Sequence, residues 1–122
     1  MINGFEKFTK DLNDYEKNTL LPIMCKCFAN HIGKENAVTN ATICKKMNDK
    51  GYEKVSEARV RKIINYIRTN NLVPRLMASG NGYYITNNSD ELKDYIESLI
   101  GRKEAIEGVI CAVQKQYEDL VA

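Results

Sequence analysis

Residues 56–86 read SEARVRKIINYIRTNNLVPRLMASGNGYYIT and predict a helix followed by a hairpin. Ser56 suits the N-cap of this helix, and Glu57 complements the positive end of its dipole. Asn70 and Asn71 suit its end, because asparagine tolerates the left-handed conformation common there. At 3.6 residues per turn the apolar positions fall within about 100° of arc, which predicts a buried face formed by Val60, Ile63, Ile64 and Ile67.

A two-stranded hairpin is expected directly after this helix. Its predicted strands are residues 72–78 and 83–86, and the tip Gly80-Asn81-Gly82 supplies residues that adopt positive φ. Pro74 makes the first strand an edge or bulged strand, because proline has no N–H to donate. The second strand carries two adjacent tyrosines. Neighbouring side chains of a strand point to opposite faces, so one tyrosine should face the core and the other should face outward.

A first helix is expected to begin at Asn13 or Asp14, both good N-cap residues, and to end at Gly33. Pro22 lies inside this pattern and should either kink the helix or start a second piece, because it removes one backbone hydrogen bond. Residues 1–13 are then an N-terminal arm. The apolar stripe predicted for this helix is Leu20, Leu21, Met24, Phe28 and Ile32.

A second helix should run from Thr39 or Asn40, either of which can cap it, to a stop at Lys50-Gly51. Residues 37–39 are short and rich in β-forming side chains, which suits a small extra strand beside the hairpin. The inward side chains predicted for this helix are Ile43, Cys44 and Met47.

The net charge of +2 hides an uneven distribution of charge along the chain. Residues 45–75 contain nine Lys or Arg against three acidic residues, a net +6, whereas residues 89–122 carry a net −4. Positive charge is therefore concentrated around the third helix, which is typical of a surface that contacts an anionic partner. The alternative is that these basic residues form an ordinary solvated surface and contact no partner.

A last helix is expected over residues 89–120, with apolar residues spaced alternately by four and three positions. The seam runs from Leu92 to Leu120 and has one polar member, Lys103, which should reach towards Glu104 or Glu107. A helix of this length exceeds the diameter of so small a domain, so its far half needs a partner, and we expect a parallel or antiparallel homodimer. The alternative is a long helix folded against its own domain. The pairing residues predicted are Leu99, Ile106, Ile110, Val113 and Tyr117.

Composition and motifs argue against several other classes of protein. No apolar run is long enough to span a bilayer and no signal peptide is visible, so we expect a cytoplasmic protein without membrane contact. The four cysteines are expected to be free, buried thiols. Cys25 and Cys27 lie about 200° apart around a helix, so no metal site or cofactor is predicted. The only histidine, His31, should cap helix carbonyls, and no catalytic motif occurs, so no enzyme activity is expected.

The third helix has the features of a helix that reads DNA. With its isoleucines turned inward, Lys62 and Asn65 point directly outward and Arg59 flanks them. Arg59 and Lys62 suit guanine edges or phosphates, and Asn65 suits adenine. Ser56 and the first backbone N–H groups suit a phosphate oxygen. Asn81 at the hairpin tip is a further backbone contact, and the phosphate-binding cations predicted are Lys54, Arg61, Arg68 and Arg75.

The order of these elements, with the strand Gly82-Tyr-Tyr-Ile-Thr86, resembles the winged helix-turn-helix superfamily over roughly residues 14–90. The segment from Ser56 to Arg68, this strand, and the pattern Leu92…Ile96-Glu-Ser-Leu together resemble small winged-helix proteins of phages and prophages. The resemblance implies that the third helix enters the major groove, with Ser56, Arg59 and Lys62 as its contacts. It also implies that the hairpin is the wing, with Arg75 and Asn81 on the groove or backbone.

These observations predict a mainly α protein with a small β-hairpin wing, an α+β fold. We expect a winged helix-turn-helix over residues 14–88 and a long dimerisation helix over residues 89–122. The expected partner is double-stranded DNA, in a transcriptional regulator or replication accessory factor of a bacterial or phage-infected cell. The alternative is a winged-helix module that binds or inhibits a host protein, since this fold also serves protein recognition.

Overall fold

The computed structural model describes residues 11–122, so most of the expected N-terminal arm lies outside the described residues. The chain divides into two units, one ending at Asn87 and one beginning at Asn88. The described chain is mainly helical with one small antiparallel sheet, so it belongs to the α+β class as expected.

The first helical segment has three parts. A π-helical turn, Glu16–Leu20, leads into α1, Leu21–Cys27, which ends in the 3-10 turn Phe28–Asn30. Pro22 stands at the start of α1, and the Leu21 N–H bonds the Glu16 carbonyl five residues back, so the interruption expected at Pro22 is present. The helix ends at Asn30, not at Gly33, and the expected core residue Ile32 is 47 % exposed.

The second helix, α2, spans Asn40–Asp49 and is capped by Thr39, whose side chain accepts from the Thr42 N–H. It ends as the sequence predicts. Gly51 has a φ of 90°, and the Tyr52 N–H bonds the Met47 carbonyl at 3.1 Å, which closes the last turn. The inward residues predicted for α2 are confirmed: Ile43 and Met47 are buried and Cys44 is half-buried.

The third helix, α3, spans Glu57–Thr69 and carries the cap and the buried face that were predicted. The Ser56 side chain accepts from the Arg59 N–H. Asn71 adopts a φ of 54° beyond the last turn, as an asparagine at this position can. This helix is central to the core, which consists of Leu20, Leu21, Met24, Phe28, Val38, Ile43, Met47, Val55, Val60, Ile63, Ile64, Ile67 and Leu76.

The sheet pairs β1, Leu76–Ser79, with β2, Gly82–Ile85. The first strand begins later than predicted, because residues 72–75 form a turn in which Arg75 has a φ of 65°. Val38 bonds Tyr83 in both directions, at 2.9 and 2.8 Å, so the expected extra strand is present as a single bridge. Tyr84 is buried and Tyr83 packs edge-on against Phe28, so the prediction that one tyrosine faces outward is wrong.

Close backbone approach explains the glycine at position 82. Gly82 has a φ of 117°, and a Cβ there would fall well inside contact distance of the Val38 carbonyl. Gly80 at the other side of the tip has no described atom within 4 Å of such a Cβ, and its φ is not positive. Of the two glycines at the tip, only Gly82 is therefore required by the backbone conformation and by the neighbouring backbone.

The second unit is a single helix, α4, Ser89–Val121, with Asn88 as its N-cap. Its 33 residues give a length of about 50 Å, and none of them is buried. Gly101 and Gly108 lie within this continuous helix, and a Cβ added at either position would have no described atom within 4 Å. Lys103 lies 3.8 Å from Glu107, one of its two expected partners. Within residues 11–122 no helix is both long enough and apolar enough to cross a membrane.

We predict that Gly82→Ala lowers the free energy of unfolding by at least about 1–3 kcal/mol, because alanine there combines an unfavourable φ with a clash against the Val38 backbone. Gly80→Ala is the matched control and should stay within about 0.5 kcal/mol of the parent. Urea denaturation followed by circular dichroism measures both. Equal losses in the two variants would contradict this account of the tip.

Candidate nucleic-acid interface

Hydrogen bonds fix the start of α3 against α2. The Asn40 side chain donates to the Glu57 carbonyl at 3.0 Å. Asn48 Nδ2 and Cys44 Sγ both donate to the Val55 carbonyl, at 3.0 and 3.3 Å. These bonds fix the backbone on both sides of the N-cap residue Ser56, so the N-terminal end of α3 has one orientation relative to α2.

A buried carboxylate, Glu16, ties α3 to the first helical segment. Glu16 is 2 % exposed, and its two oxygens lie 2.9 Å from Arg59 Nε and 2.9 Å from Lys62 Nζ. The same side chain accepts from the Asn13 N–H, while the Asn13 side chain accepts from the Glu16 N–H. This reciprocal pair is a capping box, so the residue that starts the first helix also holds the third.

Burial would raise the pKa of the Glu16 carboxyl, because a charge is poorly solvated in the interior. The hydrogen bond from Asn13 and the contacts with Lys62 and Arg59 outweigh this effect, so the pKa lies below its usual value of 4.5. Glu16 is therefore ionised at neutral pH, and its single negative charge offsets one of the two positive charges beside it.

Arg59 is held by three groups in all. Besides Glu16, its Nη1 donates to the Lys54 carbonyl at 2.8 Å, and its guanidinium lies 5.4 Å from the centre of the Tyr15 ring. The Tyr15 hydroxyl in turn donates to the Glu53 carbonyl at 2.8 Å. The side chain of Arg59 thus joins the first helical segment to the loop before α3.

These contacts correct the predicted placement of two residues. Lys62 does not point directly outward: its side chain is 30 % exposed and its ammonium lies on Glu16. The side chain of Arg59 is 20 % exposed and is similarly engaged. The physical reason is that the first helical segment packs along the flank of α3 where these two residues stand. Either residue would have to leave Glu16 to touch a base.

Arg61 consequently lies on the face of α3 that is exposed to solvent. Arg61 is exposed and makes no hydrogen bond or ion pair with any of residues 11–122, and Lys54, just before the helix, is also exposed. Glu57 is the acidic residue on this exposed side. Asn65 and Arg68 are half-buried at the margins of the face.

Two predicted contact residues lie on the hairpin, at opposite ends of it. Arg75 stands at its base, where Nε donates to the Thr86 carbonyl at 2.9 Å. Asn81 is exposed at the tip, and its N–H donates to the Ser79 hydroxyl. Ser56 is exposed at the helix start, and its hydroxyl serves as the cap. Lys54, Ser56 and Arg61 are thus exposed just before or within the first half of α3, whereas Arg75 and Asn81 stand at opposite ends of the hairpin.

Sequence reasoning missed the role of Glu16 and of Tyr15. A signal for the first was present: Asn13 and Glu16 have the spacing of a capping box, which places a carboxylate at a defined point of the first turn. Nothing local indicates that this carboxylate also binds residues 43 and 46 positions away. No comparable signal exists for Tyr15.

An open groove of about 520 Å³ between α1 and α2 was also missed. Its lining includes Lys26, Lys46 and Lys50 together with Tyr52, and it contains no acidic residue. Lys46 and Lys50 stand on the side of α2 opposite to the residues that bind the α3 connection, so this is a second basic surface. His31 also lines it, and its Nδ1–H donates to the Asn36 carbonyl, not to a carbonyl of the helix end as predicted.

The cysteines are free, but their surroundings differ from those expected. Cys25, Cys27 and Cys44 are half-buried, and Cys111 on α4 is exposed. Burial raises the pKa of the Cys25 thiol, which favours the protonated form. Among residues 11–122 there is no group of three or more His, Cys, Asp or Glu side chains that could hold a metal ion.

Comparisons of the chain with protein-family models, with curated proteins and with solved structures found no match.

We predict that Glu16→Gln lowers the free energy of unfolding at pH 7 by about 1.5–3 kcal/mol, because Arg59 and Lys62 lose a charged acceptor. Since the pKa of Glu16 is lowered by folding, the stabilisation by its charge is complete above about pH 4.5 and is lost as the pH falls through the folded-state value. The difference in unfolding free energy between the parent and the variant should therefore disappear on acidification.

The measurement is urea denaturation at pH 7 and at several values below 4.5. Glu35→Gln is the matched control, because Glu35 is exposed and forms no ion pair with any described residue. A gap that stayed constant with pH would show that the charge of Glu16 does not cause the loss.

Proposed function

We propose that this chain is a winged-helix protein that binds double-stranded DNA, with α3 directed at the major groove and the β1–β2 hairpin acting as the wing. The observation that carries the proposal is the solvent face of α3, where Arg61 and the preceding Lys54 are exposed cations without an acidic partner in the described chain. Cations free of internal partners are what contact with phosphates requires.

Three further features support the same proposal. Three helices precede the hairpin, and Val38 adds a bridge to its second strand, as a third short strand does in winged helices. The start of α3 is held in one orientation by its bonds to α2. The Ser56 cap leaves the first backbone N–H groups of α3 at the surface, where they suit a phosphate oxygen.

The roles of the predicted contact residues change in this proposal. Lys54 and Arg61 bind phosphates, and Asn65 is the candidate for contact with a base edge. Arg59 and Lys62 position α3 through Glu16 in the free protein. Arg75 and Asn81 touch the DNA backbone from the base and the tip of the wing. A regulator of transcription or a replication accessory factor would use such binding.

The α4 helix supports a homodimer as the functional unit. From Ile96 onward its large apolar side chains are between 40 and 84 % exposed, an arrangement that is unfavourable in water without a partner. Two copies paired through α4 would present two α3 helices, so the DNA site would be a twofold repeat.

A second candidate function is recognition of an acidic protein. The observation that favours it is the groove between α1 and α2, which is lined by Lys26 of α1 and by Lys46 and Lys50 on the side of α2 opposite to the α3 connection. In that case the partner would bind the groove, and α3 would remain free.

We predict that Arg61→Ala weakens binding to a mixed-sequence DNA duplex and reduces the slope of log affinity against log salt by about 1, because one phosphate contact is lost. Fluorescence anisotropy of a labelled duplex at several salt concentrations measures this. Lys115→Ala, which removes one positive charge from α4, is the control and should leave the slope unchanged. Salt-insensitive binding, or no binding at low salt, would exclude the DNA proposal and favour the acidic protein partner.

Truncation after Leu99 should produce a folded monomer, because the main core lies within residues 20–76 and the exposed pairing face lies largely beyond residue 99. Sedimentation equilibrium should give one chain for the truncated protein and two for the full chain. Circular dichroism should show a retained cooperative unfolding transition. A full chain that sediments as a monomer would refute the proposed dimer.

A further inference from the structure

The exposed face of α4 follows one heptad pattern throughout. Leu92, Leu99, Ile106, Val113 and Leu120 occupy d positions, and Ile96, Lys103, Ile110 and Tyr117 occupy a positions. From Ile96 onward every apolar member of this seam is exposed. Because the pattern continues for four heptads without a skip, it fits the same surface on a second copy of this chain, as the proposed dimer requires.

The residues beside the seam decide the direction of pairing, and we infer that two copies of α4 pair in parallel. In a parallel pair each g residue faces the e residue five positions further on in the partner. Arg102 occupies a g position and Glu107 the corresponding e position. A parallel pair therefore joins opposite charges, and twofold symmetry forms this contact twice.

Antiparallel pairing makes poorer use of the same charges. There g residues face g residues and e residues face e residues. The register that aligns the whole seam, with Ile96 beside Leu120 of the partner helix, places Glu107 opposite Glu107 and Arg102 opposite Gln116. A different antiparallel register would pair Glu107 with Lys93 of the partner helix. In that register Tyr117 and Leu120 would have no seam residue of the partner helix opposite them. The charges of α4 thus favour the parallel arrangement.

Lys103 limits the number of helices in the assembly. In the parallel pair two Lys103 side chains share one layer, and each lies 3.8 Å from Glu107 of its own helix. Each Glu107 carboxylate then stands between its own Lys103 and Arg102 of the partner helix. Every added helix would bring two further cations and one carboxylate into this level, so positive charge accumulates and the assembly stops at two.

Parallel pairing has a consequence for DNA recognition that rests on the proposed function. Both chains enter the coil at Asn88, so the two N-terminal units are tethered at the same end of the helix pair. The two α3 helices can then reach neighbouring half-sites of one duplex. Antiparallel pairing would tether the units at opposite ends, about 50 Å apart along the helix axis.

Cross-linking of the full chain tests the direction without DNA. In a Cys111→Ser background, Val113→Cys adds a thiol at a d position, and Lys115→Cys adds one at the outer f position as a control. After mild oxidation, non-reducing electrophoresis should show a covalent dimer for the first at least about 5-fold above the second, because d residues of parallel helices face each other. Cross-linking of Val113→Cys no greater than that of the control or the background chain would overturn the inference.

In the fully aligned antiparallel register the two Val113 residues lie about 15 Å apart along the axis, and Leu99→Cys faces Tyr117→Cys. A mixture of these two single variants that formed a covalent heterodimer, without a Val113→Cys product, would establish antiparallel pairing and overturn the inference. Sedimentation of the same samples shows whether the dimer itself exists. DNA binding is measured in a separate experiment. Three outcomes can therefore be told apart: helices that pair in the other direction, a chain that does not dimerise, and a protein that does not bind DNA.

A charge reversal tests the contact that sets the direction. Arg102→Glu should weaken the dimer by about 5–10-fold, since two attractive pairs become repulsive, whereas Lys115→Glu should change it by less than about 2-fold. Both side chains are exposed, so the helix content of the variants should match that of the parent. Equal effects of the two reversals on the dissociation constant would overturn the assigned role of Arg102.

Discussion

The buried carboxylate of Glu16 is the contact on which the N-terminal unit depends. Its own helix start fixes its position through Asn13, and its two oxygens then bind Arg59 and Lys62 of α3. A buried charge is tolerated only when its partners satisfy it, so any shift of α3 that withdraws Arg59 and Lys62 while Glu16 stays buried leaves an unpaired ion in the interior. One residue thereby sets the rotation of α3 about its axis, and with it the cations that face water.

The same contact sets two of the nine cations of residues 45–75 apart from the others. Arg59 and Lys62 share the single negative charge of Glu16 inside the unit and contribute to its stability. Lys54 and Arg61 remain at the surface near α3, and Lys46 and Lys50 line the groove on the other side of α2. Net charge alone does not separate these groups, because it counts structural and surface cations alike. Lys54 and Arg61, like the lysines of the groove, remain available to a phosphate or to an acidic protein.

Features that depend on neighbouring residues were predictable, and features that depend on packing were not. The caps Ser56 and Thr39 and the buried face of α3 follow from spacing along the chain, and all are present. The turn before β1, with Arg75 at positive φ, was misread as strand because its side chains resemble those of the strand itself. The Glu16 contacts join residues more than forty positions apart, and no periodicity encodes them. The solvent face of α3 was thus misplaced by about one residue, because Arg59 and Lys62 bind Glu16 while Arg61 is exposed.

Gly101 and Gly108 bear on how long the protein survives in a cell. Each lowers the intrinsic helix propensity of α4 by about 1 kcal/mol, and neither gains a contact in return. If two chains pair through α4 as proposed, association would offset this loss, and an unpaired α4 would unwind more readily in its far half than a paired one. Such unwinding would expose backbone to proteases, so cleavage would act first on unpaired chains.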